Sequence, residues 1–114
     1  MTNVREFDIM IFGATGFTGK YVLKNMIISS QLEKKPWRVA VAGRNESKLK
    51  LTIQEISTDF GLNLDNVSIV IANTIDNQSL IDMAKRTRLL LNLVGPYILF
   101  GEPVVRACLQ VSTI

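Results

Sequence analysis

The chain has 114 residues, 47% apolar and 20% charged, a length and composition that suit one globular domain and exclude a disordered segment. Its net charge of +3 comes from the first half of the chain and is too small to argue for nucleic acid as a partner. With no His and one cysteine, Cys108, it can form no internal disulfide, cysteine-based zinc site or Ser-His-Asp triad, and no metal site is expected.

Apolar segments alternate with stretches of helical spacing. Phe7 to Phe12 reads as a first strand, ended by Gly13. A helix is predicted from Phe17 to about Ile28, followed by a polar surface loop from Ser29 to Pro36. Trp37 to Ala42 reads as the second strand, closed by Gly43. Leu49, Ile53, Ile56 and Phe60 then mark a helix from Ser47 to Phe60, with Gly61 at its left-handed C-terminal position. Val67 to Ala72 is the third strand, and a short helix follows from about Gln78 to Arg86, capped by Asp76 or Asn77. Leu89 to Val94 reads as the fourth strand. After a loop at Gly95 and Pro96, Pro103 fits the first turn of a last helix running to about Val111.

Nearly continuous apolar strands separated by helices predict an α/β fold with a buried parallel sheet. The expected strand order is 3-2-1-4 with helices on both faces, a Rossmann-type sheet without the second half of the full six-strand fold. The N-terminus lacks the apolar core of a signal peptide, and the longest apolar run, Leu89 to Phe100, is interrupted by Asn92, Gly95 and Pro96. The sequence therefore predicts an intracellular, cytoplasmic chain with no transmembrane segment.

Gly13-Ala14-Thr15-Gly16-Phe17-Thr18-Gly19 carries the most chemistry. Its glycines are spaced three and three, and it joins a buried strand directly to a helix. The first glycine permits the turn, the second lets backbone approach a pyrophosphate, and the third lets helix and strand pack closely. The helix N-terminus then directs amide N–H groups at the phosphates, and Thr15 and Thr18 add hydroxyl donors. A dinucleotide is the expected ligand. No carboxylate stands at the tip of the second strand, where an NAD site places one. Arg44 follows Gly43 instead, with Lys48 one turn on, which favours NADP over NAD. Asn73, after the third strand, is placed either to meet the adenine edge or to serve as a plain cap or turn residue. Asn92, Val94, Gly95 and Pro96 end the fourth strand beside the first, where the cofactor would cross. Tyr97 reads first as packing and second as a proton donor, though no Lys stands four residues on; Cys108 reads as a small buried hydrophobe.

Four blocks, Phe12 to Gly19, Val41 to Arg44, Asn92 to Tyr97 and Gly101 to Val105, resemble the saccharopine dehydrogenase-like oxidoreductases, in family order. The first block alone also fits the extended short-chain reductases and NmrA-like sensors; the Val-Gly-Pro-Tyr turn narrows the choice. The resemblance implies a nicotinamide-dependent oxidoreductase leaning to NADP, linked to lipid metabolism and to lipid-droplet, mitochondrial or membrane surfaces. Family members continue for several hundred residues, so the chain reads as a single truncated NAD(P)-binding domain, inactive alone and lacking the substrate domain, with no catalytic residue of its own. The alternative readings are a non-catalytic NADP-sensing module and a protein-interaction fragment with a vestigial glycine turn. An unpaired outer edge on the fourth strand and an uncovered last helix predict a homodimer for the isolated domain.

Overall fold

A computed structural model describes residues 5–13, 17–32, 37–93 and 97–114. Four strands and four helices alternate: β1 (Phe7–Phe12), α1 (Phe17–Leu32), β2 (Val39–Gly43), α2 (Glu46–Phe60), β3 (Ser68–Ile71), α3 (Asn77–Lys85), β4 (Thr87–Asn92) and α4 (Tyr97–Gln110). The strands form one sheet in the order β3-β2-β1-β4 with every pair parallel. This is the arrangement of a Rossmann-type sheet, with β1 and β2 at its centre. The chain steps outward from β1 to β3 and then returns past β1 to β4. That reversal makes the carboxyl ends of β1 and β4 the switch point of the topology.

The period-2 alternation of the central strands sorts the core into two layers. Ile9, Ile11, Val39 and Val41 pack with Leu23 and Ile27 of α1 and Leu49 and Ile56 of α2. Met10, Phe12, Ala40 and Ala42 pack on the other face with Leu80 and Met83 of α3 and Val104 and Ala107 of α4. Helices therefore cover both faces. The local signals act as their chemistry requires: Asn45 caps α2 by accepting the Lys48 amide, Gly61 ends it at φ +62°, and Asp76 caps α3 by accepting the amides of Gln78 and Ser79.

Several element boundaries depart from the sequence expectation, β2 beginning at Val39 rather than at the expected Trp37, and three of the departures have a local physical cause. The segment Ser29–Leu32, expected as the start of a loop, is the last turn of α1. There Ser30 is buried and its hydroxyl accepts the Trp37 amide at 3.1 Å, so a residue that reads as a helix breaker serves a tertiary hydrogen bond. The fourth strand begins at Thr87, with no loop after α3. Thr87 is fully buried, its hydroxyl donates to the Leu89 carbonyl at 2.9 Å, and Arg88 becomes an exposed strand residue. The last helix begins at Tyr97, and Pro103 lies in its interior. A proline there withholds one amide from the helix ladder, a cost of about 3 kcal/mol. Burial of Val104 and Ala107 against α3 and β4 offsets part of that cost.

The outer edge of β4 is partly covered. Leu90 donates its amide to the Ile114 carbonyl at 2.8 Å, and Ile114 donates to the Arg88 carbonyl at 3.2 Å. The C-terminal residue thus makes a single parallel rung on the edge that the sequence left unpaired. Arg5 holds this arrangement from below. Its guanidinium donates to the carbonyls of Ala84, Thr87 and Val111 and to the hydroxyl of Thr113, which itself donates to the Ala84 carbonyl at 2.6 Å.

Candidate functional site

Parallel strands end together, so the residues that follow them share one edge of the sheet. Register sets Phe12 beside Ala42 and Asn92, and Gly43 beside Ile71. Gly13, Gly43, Arg44, Asn73 and Asn92 are thereby gathered along the carboxyl edge although they lie far apart in sequence.

Gly13 keeps its amide in the sheet, donating to the Ala42 carbonyl at 3.0 Å, while its φ of +90° turns the chain away from the strand. An L side chain rarely adopts that conformation, so glycine is required here by backbone geometry. Ala14, Thr15 and Gly16 lie outside the described residues, as do Val94, Gly95 and Pro96. Helix α1 opens at Phe17, with Thr18 exposed on its first turn and Gly19 buried. A strand end, a positive-φ glycine and, four residues on, a helix N-terminus are elements suited to a phosphate group. Gly43 differs from Gly13: a Cβ there would meet the Leu49 side chain at 3.5 Å, an ordinary contact.

Beyond Gly43, Arg44 and Lys48 are both exposed. Asn45 between them is committed to the α2 cap, and Glu46, the nearest carboxylate in sequence, pairs with Lys50 at 3.4 Å. Among the described residues no carboxylate pairs with Arg44 or Lys48, so two cations stand open to solvent beside the end of β2. Their chemistry suits a phosphate monoester on a ribose, which a guanidinium can meet with two parallel hydrogen bonds.

On the far side of β2, the Ala72 amide donates to the Gly43 carbonyl at 3.0 Å and joins the β3–α3 turn to the Arg44 loop. Asn73 is half-buried in that turn. Ser79, which sequence reasoning passed over, reaches back from the first turn of α3 and holds the Asn73 amide at 3.0 Å. The available signal was the spacing Asp76-Asn77-Gln78-Ser79, a polar residue three places after a helix cap.

Asn92 closes β4 beside Phe12, and the Leu93 amide extends the ladder to the Phe12 carbonyl at 2.8 Å. Cys108 packs against the α3–α4 layer, and burial pushes its thiol above the ordinary range, consistent with a packing role. A groove of about 230 Å³ between α1 and α2, lined by Lys20, Tyr21, Glu55, Ile56, Asp59 and Phe60, contains none of the expected site residues. Among the described residues no group of side chains could hold a metal ion and no helix is long and apolar enough to cross a membrane.

No family model matches the chain. It is 39% identical over 105 residues to a lipid droplet localized protein of Caenorhabditis elegans, a match covering 92% of this chain and 24% of that protein. It is also 39% identical over 118 residues to a saccharopine dehydrogenase-like oxidoreductase of Mus musculus, covering 98% of this chain and 27% of the relative. Among solved structures, the X-ray structure of Pen from Bacillus thuringiensis matches with a TM-score of 0.68 and 18% identity, over 96% of this chain and 36% of that one. An NADPH-dependent quinone oxidoreductase of Escherichia coli matches with a TM-score of 0.60 and 21% identity, over 92% of this chain and 32% of that one. The structural likenesses establish the Rossmann-type fold. By sequence the chain is similar over nearly its whole length to proteins named saccharopine dehydrogenase-like oxidoreductases, and it spans about a quarter of the length of the relatives it matches.

Proposed function

We propose that this chain is the dinucleotide-binding unit of an oxidoreductase and that its ligand is NADP(H) in preference to NAD(H). The observation that carries the reading is the carboxyl edge itself, where Gly13 at positive φ leads into α1 while Arg44 and Lys48 stand open one strand away. In this reading Gly13, Ala14, Thr15 and Gly16 hold the pyrophosphate, with Phe17, Thr18 and Gly19 forming the start of the helix that faces it. Gly43 lets the adenosine ribose lie close to β2, and Arg44 takes its 2′-phosphate. Asn73 meets the adenine, and Asn92, Val94, Gly95 and Pro96 border the nicotinamide half. The cofactor supplies hydride transfer when bound; this chain's residues bind and orient it. None of them is proposed as the proton donor, which belongs with a substrate domain outside these residues. The Caenorhabditis elegans relative is named for its localization at lipid droplets, which supports the same association for this protein and, through it, a lipid-linked role.

Calorimetric titration of the chain with NADPH, NADP, NADH and NAD tests the reading. Phosphorylated cofactors are expected to bind more tightly, and Arg44→Ala is expected to cost about 1.5–3 kcal/mol for NADP with NAD nearly unchanged, the range for a hydrogen bond to a charged group. Equal losses for both cofactors would show that Arg44 does not read the 2′-phosphate. Failure of all four to bind would overturn the assignment.

A further inference from the structure

We infer that Ser79 is a positioning residue for base recognition, fixing Asn73 so that its amide reads the adenine of a bound dinucleotide; this rests on the dinucleotide reading above. The turn between β3 and α3 is tied at Asn73, Ile75 and Asp76. The Asp76 amide donates to the Asn73 carbonyl at 2.9 Å, and the Ile75 amide donates to Asn73 Oδ1 at 3.2 Å. Ser79 Oγ accepts the Asn73 amide at 3.0 Å and has two carbonyls within reach, Asp76 at 2.7 Å and Asn73 at 3.1 Å. A hydroxyl carries one proton, so it donates to one of these at a time while still accepting from Asn73. The helix thus grips the turn from beneath, and the Ala72 amide fastens the same turn to Gly43.

Ser79 thereby holds the Asn73 backbone, and the Ile75 amide, bonded to Oδ1, sets the direction in which the side chain projects from it. Its Oδ1 gives one lone pair to Ile75 and retains another, while its NH₂ group takes no part in the turn. One acceptor and one donor side by side match the amino group and neighbouring ring nitrogen of adenine, the bidentate pairing by which asparagine reads that base. Hypoxanthine carries a carbonyl where adenine carries the amino group and cannot make the same pair. Without the Ser79 hydroxyl the Ile75 bond to Oδ1 and the Asp76 cap remain, but the Asn73 backbone loses its tie to α3 and the side-chain amide projects from a base that is no longer held.

The test compares the affinity of the chain for NADP and for its hypoxanthine analogue, with thermal melting of each variant as the folding control. The original chain is expected to favour NADP by about tenfold, the scale of one bidentate base contact. Ser79→Ala is expected to bring the two ligands within about twofold of each other, Ser79→Thr to retain the preference, and Ser79→Cys to fall between. A merely structural role would weaken both ligands alike and leave their ratio unmoved. A full preference retained by Ser79→Ala, or by Ser79→Cys should the alanine variant not fold, overturns the inference. So does equal binding of the two ligands by the original chain. Binding of neither ligand removes the dinucleotide reading together with this one.

Discussion

Replacing Arg5 with alanine tests whether the amino edge of the sheet is held together by one guanidinium. Arg5 Nη1 has three acceptors within reach, the carbonyls of Ala84 and Thr87 and the hydroxyl of Thr113, and Nη2 donates to the Val111 carbonyl. Nη1 has only two protons, so one of its three bonds is shared, and the cluster counts as three full charge-assisted bonds. At about 1.5 kcal/mol each, the low end for a charged donor, they contribute roughly 4–5 kcal/mol. Ordering the long side chain costs about 2 kcal/mol in rotamer entropy. The site is partly buried, and water can replace some of the lost donors. A net loss of about 2–3 kcal/mol is expected for Arg5→Ala, a large share of the roughly 5–15 kcal/mol that holds a domain of ordinary stability. Urea unfolding at neutral pH measures it, with Arg5→Lys retaining part because an ammonium reaches fewer of these acceptors. Hydrogen exchange at the Leu90 amide should quicken in Arg5→Ala, since its partner Ile114 follows the clamped Thr113. A loss under about 0.5 kcal/mol, within the usual range for surface substitutions, would refute the reasoning.

Gly13→Ala is expected to destabilise the fold by about 1–3 kcal/mol, because an L residue is strained at φ +90°, whereas Gly43→Ala should fold as the original does; thermal melting separates them. Asp8 is held below the ordinary carboxylate range, first by the Arg38 guanidinium and then by the Arg38 backbone amide. A depressed pKa adds stability that is present above the unfolded value and lost as pH falls through the folded one, so Asp8→Asn should flatten the fall in melting temperature below about pH 4. The exposed Val105 and Leu109 on α4, with Ile114 beside them in sequence, are expected to drive a homodimer that Leu109→Asp weakens. Sedimentation showing a concentration-independent monomer would overturn that expectation.

Much of the fold was legible because the sheet is written in local signals. Phe7 to Phe12 and Val39 to Ala42 are apolar at every position or nearly so, as a strand covered on both faces must be, and Gly13 and Gly43 mark where each stops. The Gly61 and Asp76 caps were legible for the same reason. What local pattern hid was decided by distant partners. Ser30 looks like the start of a loop until the Trp37 amide is brought to it, and Thr87 looks too polar to open a strand until Arg5 meets its carbonyl. Pro103 has a helix-starting preference that packing of Val104 and Ala107 overrides. At the candidate site, the glycines and Arg44 stand out by residue type and spacing. Ser79 does not, because a serine in the first turn of a helix is commonplace and only the fold shows which turn it grips.

The two edges of the sheet use their polar groups in opposite ways, and this bears on where a ligand belongs. At the amino edge three arginines are spent internally: Arg5 on four acceptors, Arg86 on Glu6 at 2.9 Å and Arg38 on Asp8 at 3.0 Å, while Lys85 and Arg88 are exposed. These contacts bridge segments far apart in sequence and close the chain on itself. At the carboxyl edge the described strand ends are bonded through Gly13 to Ala42, Ala72 to Gly43 and Leu93 to Phe12, yet Arg44 and Lys48 form no ion pair among the described residues. A stable fold gains little from exposed, unpaired cations beside a fixed backbone, and an anionic ligand gains a great deal. Rigid strand ends supply the positioning, and the unspent charges supply the attraction. A phosphate-bearing cofactor therefore fits the edge that the fold does not itself consume.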